Sequence, residues 1–221
     1  MVRKKKAFNE SKKIDELKNK SIINFMKKIF LISSLFLFST PLFAQTKSDT
    51  SEHLTFKNVP IDGTLSEFIM KMKKAGFIPT GMQDGMGILE GEFASYPFCK
   101  IGVQTLQQKD LVSKIVVIFP NRESWQLLSA NYLNLKEMLT EKYGKPYVTI
   151  EKFETYEPSG DDSKLFAAKR GDCKFYSIFS NEKGTIHLTI DKDDKRKCFV
   201  SLTYVDKINS ANIRKQALGD L

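Results

Sequence analysis

The chain has 221 residues and a formal charge of +9. Ten of its 35 Lys/Arg and only three of its 26 Asp/Glu lie in residues 1–44, a local +7 that leaves 25 basic and 23 acidic residues over 45–221, or +2. A nucleic-acid binder needs its basic stripe on the folded part, so this balance excludes nucleic acid as the partner class.

The N-terminal charge flanks an apolar run. In "MKKIFLISSLFLFSTPLFAQ", Met26 to Gln45, a basic head (Lys27, Lys28) precedes the uncharged stretch Ile29 to Phe38. Ser39, Thr40 and Pro41 break that stretch before Leu42-Phe43-Ala44. Basic head, apolar middle and a small residue before a polar one are the parts of a secretory signal peptide, here residues 26–44. The run is shorter than the roughly 20 apolar residues a membrane span needs. The pattern places the cut after Ala44, although Leu42, three positions before it, is larger than the usual small residue. No cysteine follows, which argues against a lipid anchor there. Residues 1–25 read as a mis-assigned upstream extension, with translation starting at Met26. The competing reading keeps the segment uncleaved as a membrane anchor with a basic cytoplasmic tail. The first reading makes this an exported protein, periplasmic or extracellular.

Residues 45–52 form a polar leader, and 53–221 are long enough for one domain. His53 to Val59 alternates as a short strand. Thr64 and Glu67 stand as a capping box, and Leu65, Phe68, Ile69 and Met72 fall on one helical face that Gly76 ends. Gly81 to Gly87 reads as a glycine-rich turn, without the frame of a phosphate loop. Ile88 to Ala94, Cys99 to Leu106 and Leu111 to Phe119 are predicted strands, the last nearly all apolar and therefore central. Trp125, Leu128, Tyr132, Leu135 and Leu139 stripe a helix from about Ser124 to Tyr143, which Gly144 and Pro146 close. Tyr147 to Thr155 is a strand, Pro158 to Ser163 a loop, and Leu165 to Lys169, Cys173 to Phe179, Thr185 to Ile190 and Cys198 to Val205 further strands. Ser210 to Leu218 closes the chain as a short helix. The helix-then-strands plan thus occurs twice, over about 53–120 and 121–205. The predicted class is α+β, an antiparallel sheet with helices on one face.

Chemistry-bearing motifs are scarce. No G-x-S-x-G turn is present, no cysteine has a base placed for it, and two remote histidines do not make a zinc set. No catalytic, cofactor-binding or metal-binding residue is assigned. The acidic loops Asp161-Asp162 and Asp191 to Asp194 lack the EF-hand frame and read as solvated turns. Cys99, Cys173 and Cys198 read as buried thiols; the alternative is a Cys173–Cys198 bridge across neighbouring strands. Period-2 sorting places Ile186, Leu188 and Ile190 on one side and Thr185, His187 and Thr189 on the other. The neighbouring strand sorts Ser201 and Thr203 to that second side. These five residues are the candidate recognition face, polar and open.

The order helix–strands–helix–strands behind an export signal, with "LKEMLTEKYGKP" leading into a strand, resembles small envelope proteins of the beta-lactamase-inhibitor-like or PepSY-like kind. The resemblance is one of layout, over about Phe56 to Val205. It implies helices on antiparallel sheets and binding to proteins or occlusion of sites. The functional expectation is an exported, non-enzymatic binding module acting on an envelope protein or cell-surface component. A periplasmic carboxylate-dependent hydrolase and a membrane-anchored assembly factor are the alternatives. N-terminal sequencing of the protein recovered from the envelope is expected to begin at Gln45; a sequence that retains Lys27 and Lys28 would favour the anchor.

Overall fold

A computed structural model describes residues 53–83, 85–106, 108–219 and 221. The proposed extension, signal peptide and polar leader lie outside the described residues. Among the described residues ten strands and four helices follow one another in the order β1 (Thr55–Phe56), β2 (Val59–Pro60), α1 (Leu65–Lys74), β3 (Ile78–Gln83), β4 (Met86–Phe93), β5 (Tyr96–Thr105), β6 (Val112–Ile118), α2 (Trp125–Tyr143), β7 (Val148–Phe153), α3 (Asp161–Arg170), β8 (Cys173–Ser180), β9 (Gly184–Lys192), β10 (Cys198–Asp206) and α4 (Ile208–Gly219). The fold is α+β.

Local chemistry sets the helix ends. The Thr64 hydroxyl accepts from Glu67 N at 3.3 Å and Thr64 N donates to the Glu67 carboxylate at 3.0 Å, so the capping box forms. Lys71, Lys73 and Lys74 occupy the last turn of α1, where the dipole favours cations. At the start of α2 the Ser124 hydroxyl accepts from Leu127 N. The Asp161 carboxylate, distant in sequence, accepts from Trp125 N at 3.1 Å and Gln126 N at 2.6 Å. One residue thereby starts α3 and caps α2.

Strands β3 to β10 make one antiparallel eight-stranded sheet in the order β3-β4-β5-β6-β10-β9-β8-β7. The first half is the meander β3 to β6, the second the meander β7 to β10, and the last strand of each pairs with the other at the centre. That pairing runs from Ser201 opposite Ile118 to Val205 opposite Lys114. β6 is buried along its whole length and β10 nearly so, the expected state of central strands.

Helices α1, α2 and α3 cover one face. Leu65, Phe68 and Met72 of α1 join Leu89, Ile101 and Val103 in the core, while Leu128, Tyr132 and Leu135 of α2 join Ile186, Leu188 and Leu202. The Tyr132 hydroxyl meets that of Ser177 at 2.8 Å, so the polar end of this buried ring is satisfied. Phe56, carried by the β1–β2 hairpin, stacks on Phe93 at 4.9 Å and meets Tyr204 edge-on at 5.5 Å, closing the core at the centre of the sheet. Trp125 lies 5.0 Å from Phe175 and 5.1 Å from Phe153 and fills the second half.

Three elements depart from the sequence reading. Leu165 to Lys169 is helix, part of α3, and the expected loop gives way to it at Asp161. Leu165 and Ala168, three apart, face the core, and Gly171 in the left-handed conformation ends the helix. The stretch His53 to Val59 is a hairpin, because Lys57 and Asn58 both adopt positive φ and turn the chain between two short strands. The glycine-rich turn is shorter than expected, since Ile78–Gln83 forms the edge strand β3.

Gly184 opens β9 where no side chain fits: a Cβ there would sit 2.1 Å from the Val205 carbonyl oxygen and 2.5 Å from Leu54. Gly184→Ala is expected to lower stability by about 3 kcal/mol, read as a lower urea midpoint at unchanged slope; a midpoint within error of the parent would contradict this packing.

Candidate functional site

Thr185, His187, Thr189, Ser201 and Thr203 all lie on the sheet face turned away from α1, α2 and α3. Register brings them together. His187 sits between Ile178 and Thr203, Thr189 between Tyr176 and Ser201, and Thr185 between Ser180 and Val205. Thr203 continues to Val116, and Ser201 to Ile118. The period-2 sorting is as expected for both strands.

The character of the face is different from the expectation. Ser201 and Thr203 are buried, at 2% and 3% exposure, rather than open, and they lie in an apolar setting made by Val116, Ile118 and Phe199. The reason is position: β10 is central, flanked by β6 with its continuous aliphatic run, so its hydroxyls are shielded by taller neighbours. Only Thr185, His187 and Thr189, one strand further out, keep partial exposure.

That setting controls the charges. Burial pulls His187 down to about 4, with the Lys114 and Lys207 charges adding to the effect. Its Nε2 lies 3.1 Å from the Thr185 hydroxyl. Burial also lowers Lys114 to about 7. Asp191, on the same face two positions beyond Thr189, is pushed up to about 6 by burial, against the opposing pull of the Lys192 N–H and charge. At neutral pH the face therefore presents a neutral imidazole, hydroxyls and aliphatic side chains beside an ionised Asp191 and a Lys114 amine that is partly neutral. Among these groups the Lys114 amine is the one shifted toward its nucleophilic, neutral form.

The thiols are shifted toward the protonated form. Burial raises Cys99 and Cys198 to about 11 and Cys173 to about 12, and all three are free. The alternative bridge fails on topology: β9 lies between β8 and β10, so Cys173 and Cys198 belong to second-neighbour strands. Strands in those positions run roughly 9.5 Å apart, beyond the roughly 7 Å that a disulfide spans. The acidic loops are used structurally. Asp161 caps α2, and Asp193 closes its own turn by accepting from Lys195 N and Lys197 N. Among the described residues no group of three His, Cys, Asp or Glu is placed to hold a metal.

Two features escaped the sequence reading. His53, at the start of the expected strand, is held. Its Nδ1 lies 3.1 Å from the Asp206 carboxylate, which is fully buried and also accepts from Leu54 N and Ile208 N. On the other side Asp62 approaches His53 Nε2 at 3.6 Å. Desolvation works to raise Asp62, but hydrogen bonds from Asn209 and Gly63 and the charges of His53 and Lys71 outweigh it and leave the carboxyl below its ordinary value. An acid directly after an apolar strand, in "TYVDK", was the available signal. The second feature is a cleft of about 450 Å³ between α3 and the segment following β7, lined by Phe153, Tyr156, Phe166 and Arg170 among others. Arg170 stacks over the Phe166 ring at 5.5 Å and pairs with Asp172.

No protein-family model, no curated protein and no solved structure matches this chain.

Two of the three perturbed groups of the face, His187 and Asp191, oppose each other in pH. His187, depressed, contributes stability that is present above its ordinary value of 6.5 and is lost as pH falls through about 4. Asp191, raised, contributes stability that is present below its ordinary 3.8 and is lost as pH rises through about 6. Asp191→Asn removes the second effect. The variant is expected to be more stable than the parent near neutral pH by about 2 kcal/mol, and to lose stability more steeply on acidification through the window from 6.5 to 4. Urea titrations across that window check this; equal midpoints near neutrality count against it.

Proposed function

We propose that this chain is an exported, non-enzymatic binding module of the cell envelope, engaging a protein through the sheet face that carries Thr185, His187, Thr189, Ser201 and Thr203. The observation that carries the reading is the composition of that face. Four adjacent strands, β6, β10, β9 and β8, contribute aliphatic side chains, hydroxyls and one neutral imidazole to the surface opposite the helices, with Lys114 and Asp191 among them. Protein partners are recognised by surfaces of this kind, with an apolar centre and a few oriented polar groups. The export leader supplies the compartment, and the layout resemblance to envelope inhibitors supports the class of partner.

The partly exposed Thr185 and Thr189 hydroxyls would then give orientation, and Tyr176, Ile178 and Val205, also partly exposed, the apolar contact, with Ser201 and Thr203 packed beneath them. A neutral His187 can donate or accept one hydrogen bond without bringing a charge into a dry interface.

A photo-crosslinking residue placed at Thr189 in the living cell is expected to capture a defined envelope protein, while the same residue at Glu137, exposed on α2, captures none. Equal capture from both positions, or none from Thr189, would falsify the assignment of this face. Steady turnover of an envelope substrate by the purified protein would overturn the non-enzymatic reading separately.

A further inference from the structure

We propose that two copies of this chain join edge to edge through β7, making one continuous sixteen-stranded sheet in which each copy's Tyr147 completes the aromatic cleft of the other.

The two edges of the sheet differ. β3 carries Pro79, which has no N–H to offer, and a register break between Pro79 and Gly81. Both are devices that discourage strand addition. β7 has neither. Its sequence, VTIEKF, pairs with β8 without a break from Val148 to Phe153, and it ends the strand order on its other side. Glu154 N donates to the carbonyl of Asp172, the residue opposite it. Alternation along an antiparallel ladder then turns the N–H and C=O groups of Lys152 and Ile150 towards β8 and those of Thr149, Glu151 and Phe153 outward. Six residues give an edge of about 20 Å.

These outward groups select one symmetric register. A two-fold axis through Glu151 sets Thr149 opposite the partner's Phe153 and Phe153 opposite the partner's Thr149, so all three outward positions are used. An axis through any of the other residues from Thr149 to Phe153 leaves at least one of these three positions without an outward position of the partner's β7 opposite it. Glu151 would face its own copy. Each of these carboxylates is already held by Lys136 at 2.6 Å, so the centre of the joint is a balanced set of two acids and two lysines.

The flanks fit the same axis. Tyr147 stands just before β7 and is 80% exposed, and the cleft lies just after it, where Tyr156 and Phe166 are 72% and 58% exposed. In the register through Glu151 the partner's Tyr147 comes opposite Thr155, which lines the cleft. Start therefore meets end twice, as an isologous contact requires. Leu133, half exposed one turn before Lys136 on the same flank of α2, adds apolar surface beside the axis. A bare six-residue edge is less than the roughly 800 Å² per partner of a standard stable interface; the aromatic exchange and Leu133 extend it.

Sedimentation equilibrium of the purified protein is expected to return twice the chain mass at micromolar concentration, and the single-chain mass for Tyr147→Ala at the same concentration. Glu151→Cys is expected to form an intermolecular disulfide under mild oxidation, because the axis passes through that position, whereas Thr80→Cys on the opposite edge stays reduced. A single-chain mass for the parent across the concentration range overturns the proposal. So does a dimer that cross-links through Thr80→Cys and not through Glu151→Cys. Far-UV circular dichroism of each variant matching the parent keeps loss of dimer distinct from loss of fold.

Discussion

The β6–β10 pair is the constraint on which everything else rests. It joins the two halves, and it does so between strands separated in sequence by the whole second half. Both strands are buried on both faces, so their registry is specified from two sides at once: a slip by one residue would exchange Val117 and Leu202, packed under the helices, for Val116 and Thr203 on the opposite face. With that pair fixed, each half hangs its remaining strands outward as a meander, with its helix laid back on the same side. The Phe56 hairpin and the His53–Asp206 contact then tie the start of the described chain to the foot of β10.

One sheet thus has two unlike faces. The face under the helices is filled by large side chains, with one internal hydroxyl pair, Tyr132 and Ser177. The opposite face mixes aliphatic residues with Thr, Ser and His, and holds His187, Lys114 and Asp191 away from their ordinary values. His187 and Asp191 are shifted in opposite directions by one cause, removal from water, because burial disfavours whichever form is charged.

Much of this was legible in the sequence. The capping box at Thr64, the stripes of the two main helices, the apolar run of β6 and the period-2 sorting of β9 and β10 each combine a local preference with a burial pattern, and all agree with the structure. What was missed lay where distant residues decide. Leu165 to Lys169 has only two core-facing positions, and its helix gains from Asp161, whose partners are backbone groups of α2. The turn at Ala94 and Ser95 puts two ordinary residues at positive φ, without the Asn-Gly signature that marks such turns. The candidate face was found by alternation, but its burial depends on which strand is central, and strand order is set by long-range pairing. The cleft has no local signal, being formed by segments on both sides of a loop.

The strand order also bears on how a growing polypeptide reaches this state. β6 is finished early, yet the edge that β10 will occupy stays bare until the last strand emerges. Until then "VSKIVVI" offers unsatisfied peptide groups flanked by aliphatic side chains, the composition most prone to pair with a stranger. A ribosome-bound or prematurely terminated product ending before Cys198 would carry that sticky seam with nothing of its own to cover it. Completing the polypeptide is therefore what makes its first half safe.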